Sequence, residues 1–238
     1  MESAINKSCQ TDILEIDGLK FAVADNFLND PDSFRQYAKA LSGTPGMRLD
    51  NNLGYVLQPA MDEFDARYPG FRRDLMNFVI RTVGASAKNA YGLDDSYTSL
   101  GIYKGPQFNC VYKLPFLGPH VDPGHISSFI YLNTSENCSG GTGIYRHVPS
   151  GKMRLVQQDI SVAHLEKEPL TKSLNYSAGE WELLHKFEMR YNRIVAFTSS
   201  VIHKIFLEPE GHPYREDIDN VRLSLNSFFL ITRPQQPR

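Results

Sequence analysis

Residues 112–145 decide the fold: Tyr112-Lys-Leu-Pro-Phe-Leu-Gly-Pro-His120-Val-Asp122-Pro-Gly-His-Ile-Ser-Ser-Phe-Ile-Tyr131-Leu-Asn-Thr-Ser-Glu-Asn-Cys-Ser-Gly140-Gly-Thr-Gly-Ile-Tyr145. If His120 and Asp122 sit at the end of an extended strand, the two-residue period sends both side chains to one face and Val121 to the other. An imidazole and a carboxylate then converge on one point. Two ligands do not hold a metal, so a third must come from elsewhere, and the apolar run from Arg193 to His203 offers His203. Two histidines and one carboxylate on one face leave the opposite coordination positions open, as in non-haem Fe(II) sites that bind a cosubstrate and O₂ together.

The rest of the chain is consistent with a folded host for such a site. Of its 238 residues, 41% are hydrophobic and 22% charged, enough apolar material for a sizeable core. A formal net charge of -2 supplies no basic field for nucleic acid or anionic lipid, so neither partner is expected. Cys9, Cys110 and Cys138 are odd in number, far apart and outside any C-x-x-C pattern, which argues for a reducing compartment. No signal-peptide layout and no membrane-length apolar run is visible, and the reading is a cytoplasmic protein.

Hydrophobic periodicity divides the chain near residue 95. An opening hairpin is expected over Ile13–Val23 around Asp17-Gly18, then helices over Pro31–Leu41, Pro59–Tyr68 and Phe71–Ala85, with a loop over Gly43–Gly54. After Ser96 the texture is short β-branched and aromatic runs: Ser99–Tyr103, Phe108–Tyr112, His125–Leu132, Thr142–Val148, Asp159–His164, Trp181–Phe187, Arg193–Phe197, His203–Leu207 and Arg222–Ile231. The expectation is one domain over 1–238. Helical and hairpin support covers about 1–95, and an antiparallel sandwich or barrel about 96–232.

Five elements occur in order: His120-Val-Asp122, Phe129-Ile-Tyr-Leu-Asn133, Gly140-Gly-Thr-Gly-Ile-Tyr145, the apolar strand ending at His203, and Arg222-Leu-Ser224. Together they resemble the prolyl-hydroxylase-like branch of the Fe(II)/2-oxoglutarate-dependent oxygenase superfamily, over roughly Phe108 to Leu230. The resemblance implies a mainly β fold with N-terminal helices, built on a double-stranded β-helix, a jelly-roll or cupin-like barrel. It implies that His120, Asp122 and His203 hold Fe(II), and that Arg222 pairs with the distal carboxylate of 2-oxoglutarate. A guanidinium fork suits that carboxylate, and Ser224, two residues on, can add a hydroxyl. Tyr112 and Tyr131 match the family's cosubstrate-binding tyrosines; packing aromatics is the competing account of both. The charged stretch Glu208–Asn220 is longer than the family's usual span, which leaves Arg215 as a substitute for Arg222.

The activity so implied is oxidation of an unactivated C–H bond, most simply hydroxylation, consuming 2-oxoglutarate and O₂ and releasing succinate and CO₂. Asp122 fits hydroxylation, desaturation or cyclisation, since related halogenases lack that carboxylate. A small molecule such as an amino acid or biosynthetic intermediate is the expected substrate, with a protein side chain as the second choice. Residues 149–186, which include the single tryptophan Trp181, are read as a lid. His125, His164, His185 and His212 are set aside as satisfied surface or core residues, while His147, with Arg146, could reach a substrate, a solvated turn being the competing account. Gly140 and Gly141 are read as backbone geometry and Cys110 as packing. Two other classes compete: a cupin-like metalloenzyme that does not use 2-oxoglutarate, and a non-catalytic β-sandwich binding module.

Overall fold

A computed structural model describes residues 3–51, 54–113, 119–155, 180–206 and 214–234. The expected strand Asp159–His164, most of the expected lid and part of the 208–220 loop lie outside them. So do His164 and His212.

The opening hairpin pairs β1 (Thr11–Ile16) with β2 (Leu19–Ala24). Asp17 and Gly18 both adopt positive φ, 49° and 74°, the turn whose twist matches two antiparallel strands. In α1 (Pro31–Ser42), Asp30 caps the first turn by accepting from the Ser33 N–H at 3.1 Å, and Phe34, Tyr37, Ala38 and Leu41 form the buried stripe. The stretch read as a loop is instead largely a hairpin: β3 (Arg48–Asn51) and β4 (Gly54–Leu57) pair, and β4 docks on β5 (Ser99–Val111). Across the hairpin, Asn51 Oδ1 accepts from the Gly54 N–H at 3.0 Å. Gly54, at φ 153°, lies so close to β5 that a Cβ there would stand 2.0 Å from the Cys110 carbonyl oxygen.

After the short α2 (Met61–Arg67), α3 runs from Phe71 to Tyr91, past the expected end at Ala85. Ala87 and Ala90 continue its buried stripe, and Gly92 at φ 63° closes it. The remaining strands are β6 (Ile126–Tyr131), β7 (Gly141–His147), β8 (Trp181–Glu188), β9 (Ile194–Thr198), β10 (His203–Phe206) and β11 (Arg222–Thr232). They form two antiparallel sheets, one of eight strands in the order β1-β2-β9-β6-β11-β5-β4-β3 and one of three in the order β10-β7-β8. The N-terminal 95 residues thus supply four strands of the large sheet as well as the helices. Among the described residues the fold is mainly β with three α-helices, in two antiparallel sheets that form no closed barrel.

The large sheet carries a core on each face. On one side α3 lies across β2, β9, β5 and β6, and its Leu75, Val79 and Val83 pack with Ile126, Leu225 and Phe229. On the other, Phe21, Phe129, Val195 and Phe197 meet Ile144 and Phe187 of the small sheet. β11 shows why the site lies between the sheets: Leu223 and Leu225 join the helix-side core, while Arg222, Ser224 and Asn226 alternate with them onto the opposite face. Burying polar side chains there costs free energy unless something satisfies them.

Candidate metal centre

His120 and His203 face each other across an antiparallel pair. The His120 N–H donates to the His203 carbonyl at 2.8 Å, and the His203 N–H donates back at 2.9 Å. Residues that exchange both bonds present their side chains on the same face, and the two ring centroids stand 4.7 Å apart. Two residues on, the Asp122 N–H donates to the Ser199 carbonyl at 3.0 Å, which brings its carboxylate to the same point. Asp122 Oδ2 lies 3.1 Å from His203 Nε2, and Oδ1 lies 4.0 Å from His120 Nε2. All three ligand atoms fall within 4.8 Å of one another. Imidazole and carboxylate donors that share one ion, each about 2.0–2.2 Å from it, stand roughly 3–4 Å apart.

The surrounding hydrogen bonds suit ligation. His203 Nδ1–H donates to the Val201 carbonyl at 2.9 Å, which fixes the ring and leaves Nε2 to face Asp122. Asp122 Oδ2 is buried, 3.1 Å from His203 Nε2 and without another polar partner among the described residues. Burial pushes the Asp122 carboxyl up, but the charge and contact of His203, then His120, more than offset this and hold it below the usual carboxylate range. For His203, burial works against the charged ring; Asp122 reverses the balance and leaves it above the ordinary imidazole value. A cation would replace that proton, since ligation requires the neutral ring. The three residues fit a divalent metal: two nitrogen donors, one carboxylate and an orphaned oxygen aimed among them.

The triad opens into a cavity of about 140 Å³, lined further along β11 by Arg222, Ser224 and Asn226. Arg222 is 3% exposed, donates from Nη2 to the Gly141 carbonyl at 3.2 Å, and stacks its guanidinium 5.4 Å from the Tyr131 ring centre. Its Nε is buried without a partner, and no described carboxylate pairs with it. A buried cation without a charge partner is costly, and among the described residues Arg222 has none, so an anion in the cavity would suit it. Ser224 is buried beside it. Arg215 is exposed and away from the cavity, so Arg222 is the arginine at the site.

The two tyrosines lie elsewhere. Tyr131 is fully buried behind the cavity wall, its hydroxyl 2.7 Å from Thr142 Oγ1, and it is Thr142 that lines the space. Tyr112 packs beside Tyr55 at 6.2 Å between ring centres, and Tyr55 rather than Tyr112 lines the cavity. Sequence reasoning missed Tyr55, Asn109, Thr142 and Asn226. The signal for two of them was present, since Asn109 and Asn226 continue the alternation of Gln107-Asn109-Val111 on β5 and Arg222-Ser224-Asn226 on β11. Of the histidines set aside, His125 accepts from the Ile231 N–H at Nδ1 at 3.0 Å. His147 meets Ser150 and Trp181, and His185 packs on Phe187.

Two histidines and an aspartate beside a buried, unpaired arginine define a candidate metal and anion site between two antiparallel sheets. By its sequence the chain belongs to the family described as "Family of unknown function (DUF6445)", whose model matches residues 6–229. No curated protein matches. Among solved structures, the chain is similar to the N-substituted L-amino acid dioxygenase of Burkholderia ambifaria AMMD, at 11% identity and a TM-score of 0.39, covering 90% of this chain and 84% of that one. That likeness is too low to bear on the chemistry. Among the described residues no helix is long and apolar enough to cross a membrane.

Proposed function

We propose that this protein is an Fe(II)/2-oxoglutarate-dependent dioxygenase that oxidises an unactivated C–H bond, most simply by hydroxylation, on a double-stranded β-helix. The observation that supports the reading is the pairing of His203 with His120, which brings His203 to within 4.8 Å of the His120 and Asp122 ligand atoms, some eighty residues earlier in the chain. Strand order supports the fold: β9-β6-β11-β5 forms a four-stranded centre, and the His120 bridge adds a fourth segment beside β10-β7-β8. In this reading His120, Asp122 and His203 hold Fe(II). Arg222 takes the distal carboxylate of 2-oxoglutarate, and Ser224 adds a hydroxyl to it. Bound iron and 2-oxoglutarate supply the oxidising chemistry with O₂, yielding succinate and CO₂. The chain's own share is placement and dryness: Tyr131 underlies the guanidinium, and Phe129, Phe228 and Ile205 line the cavity and exclude water.

Anaerobic titration with Fe(II) and then 2-oxoglutarate tests this directly. The expected result is the visible charge-transfer band of a chelated 2-oxo acid, absent in His203→Ala and weakened at least about tenfold in Arg222→Gln. Folded, iron-loaded protein that develops no band overturns the proposal.

A further inference from the structure

Beyond the triad and Arg222, the described residues of the cavity wall are neutral. Its only other ionisable described group is the Tyr55 phenol, which burial holds in the neutral form. If Asp122 is committed to the metal and Arg222 to the cosubstrate, no described charge remains to meet the ammonium or carboxylate of a free amino acid.

Three asparagines line the wall, Asn51, Asn109 and Asn226; Asn51 Oδ1 already accepts from the Gly54 N–H at 3.0 Å, and the other two have complementary needs. Gln58 Nε2 donates to Gln107 Oε1 at 3.5 Å, and Gln107 Nε2 donates to Asn109 Oδ1 at 3.4 Å. This one-way chain uses the Asn109 oxygen and leaves its Nδ2 hydrogens for the cavity; no described residue accepts from them. Asn226 is 9% exposed, and its Oδ1 is buried without any donor. In the β11–β5 ladder Asn226 faces Gln107 and Ser224 faces Asn109, so Asn226 and Asn109 are diagonal neighbours on one face. Such positions lie about 7–8 Å apart, room for one planar group between them. A donor on one side and an acceptor on the other, with no charge, complement a group that has both C=O and N–H.

We infer that the substrate presents an amide to Asn109 and Asn226, its carbonyl accepting from Asn109 Nδ2 and its N–H donating to Asn226 Oδ1. The inference rests on the function proposed above, because it assigns Asp122 and Arg222 to metal and cosubstrate. It revises the expectation of a free amino acid: the substrate is an acylated or peptide-bonded one.

Saturation-transfer NMR tests it on the Fe(II)- and 2-oxoglutarate-loaded protein under argon, with N-acetylalanine N-methylamide, zwitterionic alanine and a blocked alanine-glycine heptapeptide as probes. The amide is expected to bind and alanine not. Asn226→Leu and the milder Asn226→Ser should each weaken the amide about tenfold, as should Asn109→Val, while the charge-transfer band survives. Binding of the heptapeptide as well points to a peptide source of the amide, and binding of the short probe alone to a small molecule. Alanine binding as well as the amide does, amide binding unchanged in all three variants, or loss of the band in a folded variant each overturns the inference. The band separates the two proposals. A band without amide binding leaves the oxygenase reading intact, whereas Asn226-dependent amide binding without a band removes the oxygenase and keeps the amide site.

Discussion

Arg222 carries an unusual energetic load for a single side chain. It is buried, makes one described hydrogen bond, and keeps Nε unsatisfied. Removing an unpaired buried charge in favour of an apolar side chain relieves desolvation, so Arg222→Met should raise the stability of the ligand-free protein by about 1–4 kcal/mol. The same variant should show no stabilisation by 2-oxoglutarate, and urea denaturation with and without the acid checks both. Gly141, whose carbonyl holds that guanidinium, is constrained in a different way. At φ 155°, a Cβ there would stand 2.0 Å from the Phe187 carbonyl oxygen, a rigid backbone atom. Gly141→Ala should cost about 1–3 kcal/mol in the same assay and tilt β7 away from β8. Reading this glycine as backbone geometry was possible from sequence; that its partner is Phe187 was not.

Strand β11 shows how far element-scale reading reaches. Its alternation is legible and joins Ser224 to Arg222 on one face, but a polar residue on a strand usually faces solvent, so the alternation by itself does not mark Asn226 as interior. Only the second sheet makes that face interior. The β3–β4 hairpin was hidden for a related reason: the partner that fixes it, β5, lies some fifty residues away. On the helix side, Phe229→Ala in β11 should cost about 3–5 kcal/mol, read as a shift in urea midpoint. His125 gives this strand a pH dependence. Burial holds its imidazole below the ordinary 6.5, and its bare Nδ1 accepts the Ile231 N–H, a bond that protonation breaks. As pH falls the unfolded chain takes up the proton first, so this contribution is complete above about pH 6.5 and shrinks below it. Comparing unfolding at about pH 8 and about pH 5.5 should show a smaller acid loss in His125→Gln than in the parent protein.

Across the whole molecule, the three candidate ligands come from two segments some eighty residues apart, so on the reading proposed above metal affinity and folding are coupled. An ion that binds only the folded state, at a hundred times its dissociation constant, adds about 2.7 kcal/mol. Adding Fe(II) anaerobically should therefore raise the melting temperature, a chelator should reverse the rise, and Asp122→Ala should abolish it. The reciprocal backbone bonds between His120 and His203 carry one more consequence. A slip of one residue in that pairing turns a whole strand over, which would replace the His203 imidazole at the site with a neighbouring side chain, either Ile202 or Lys204. Neither is a fit ligand there. If the site takes iron as proposed, a chain that closed this pairing one step out of register would be unable to take it up, and loading with the ion would act as a proofreading step on how the strands were zipped.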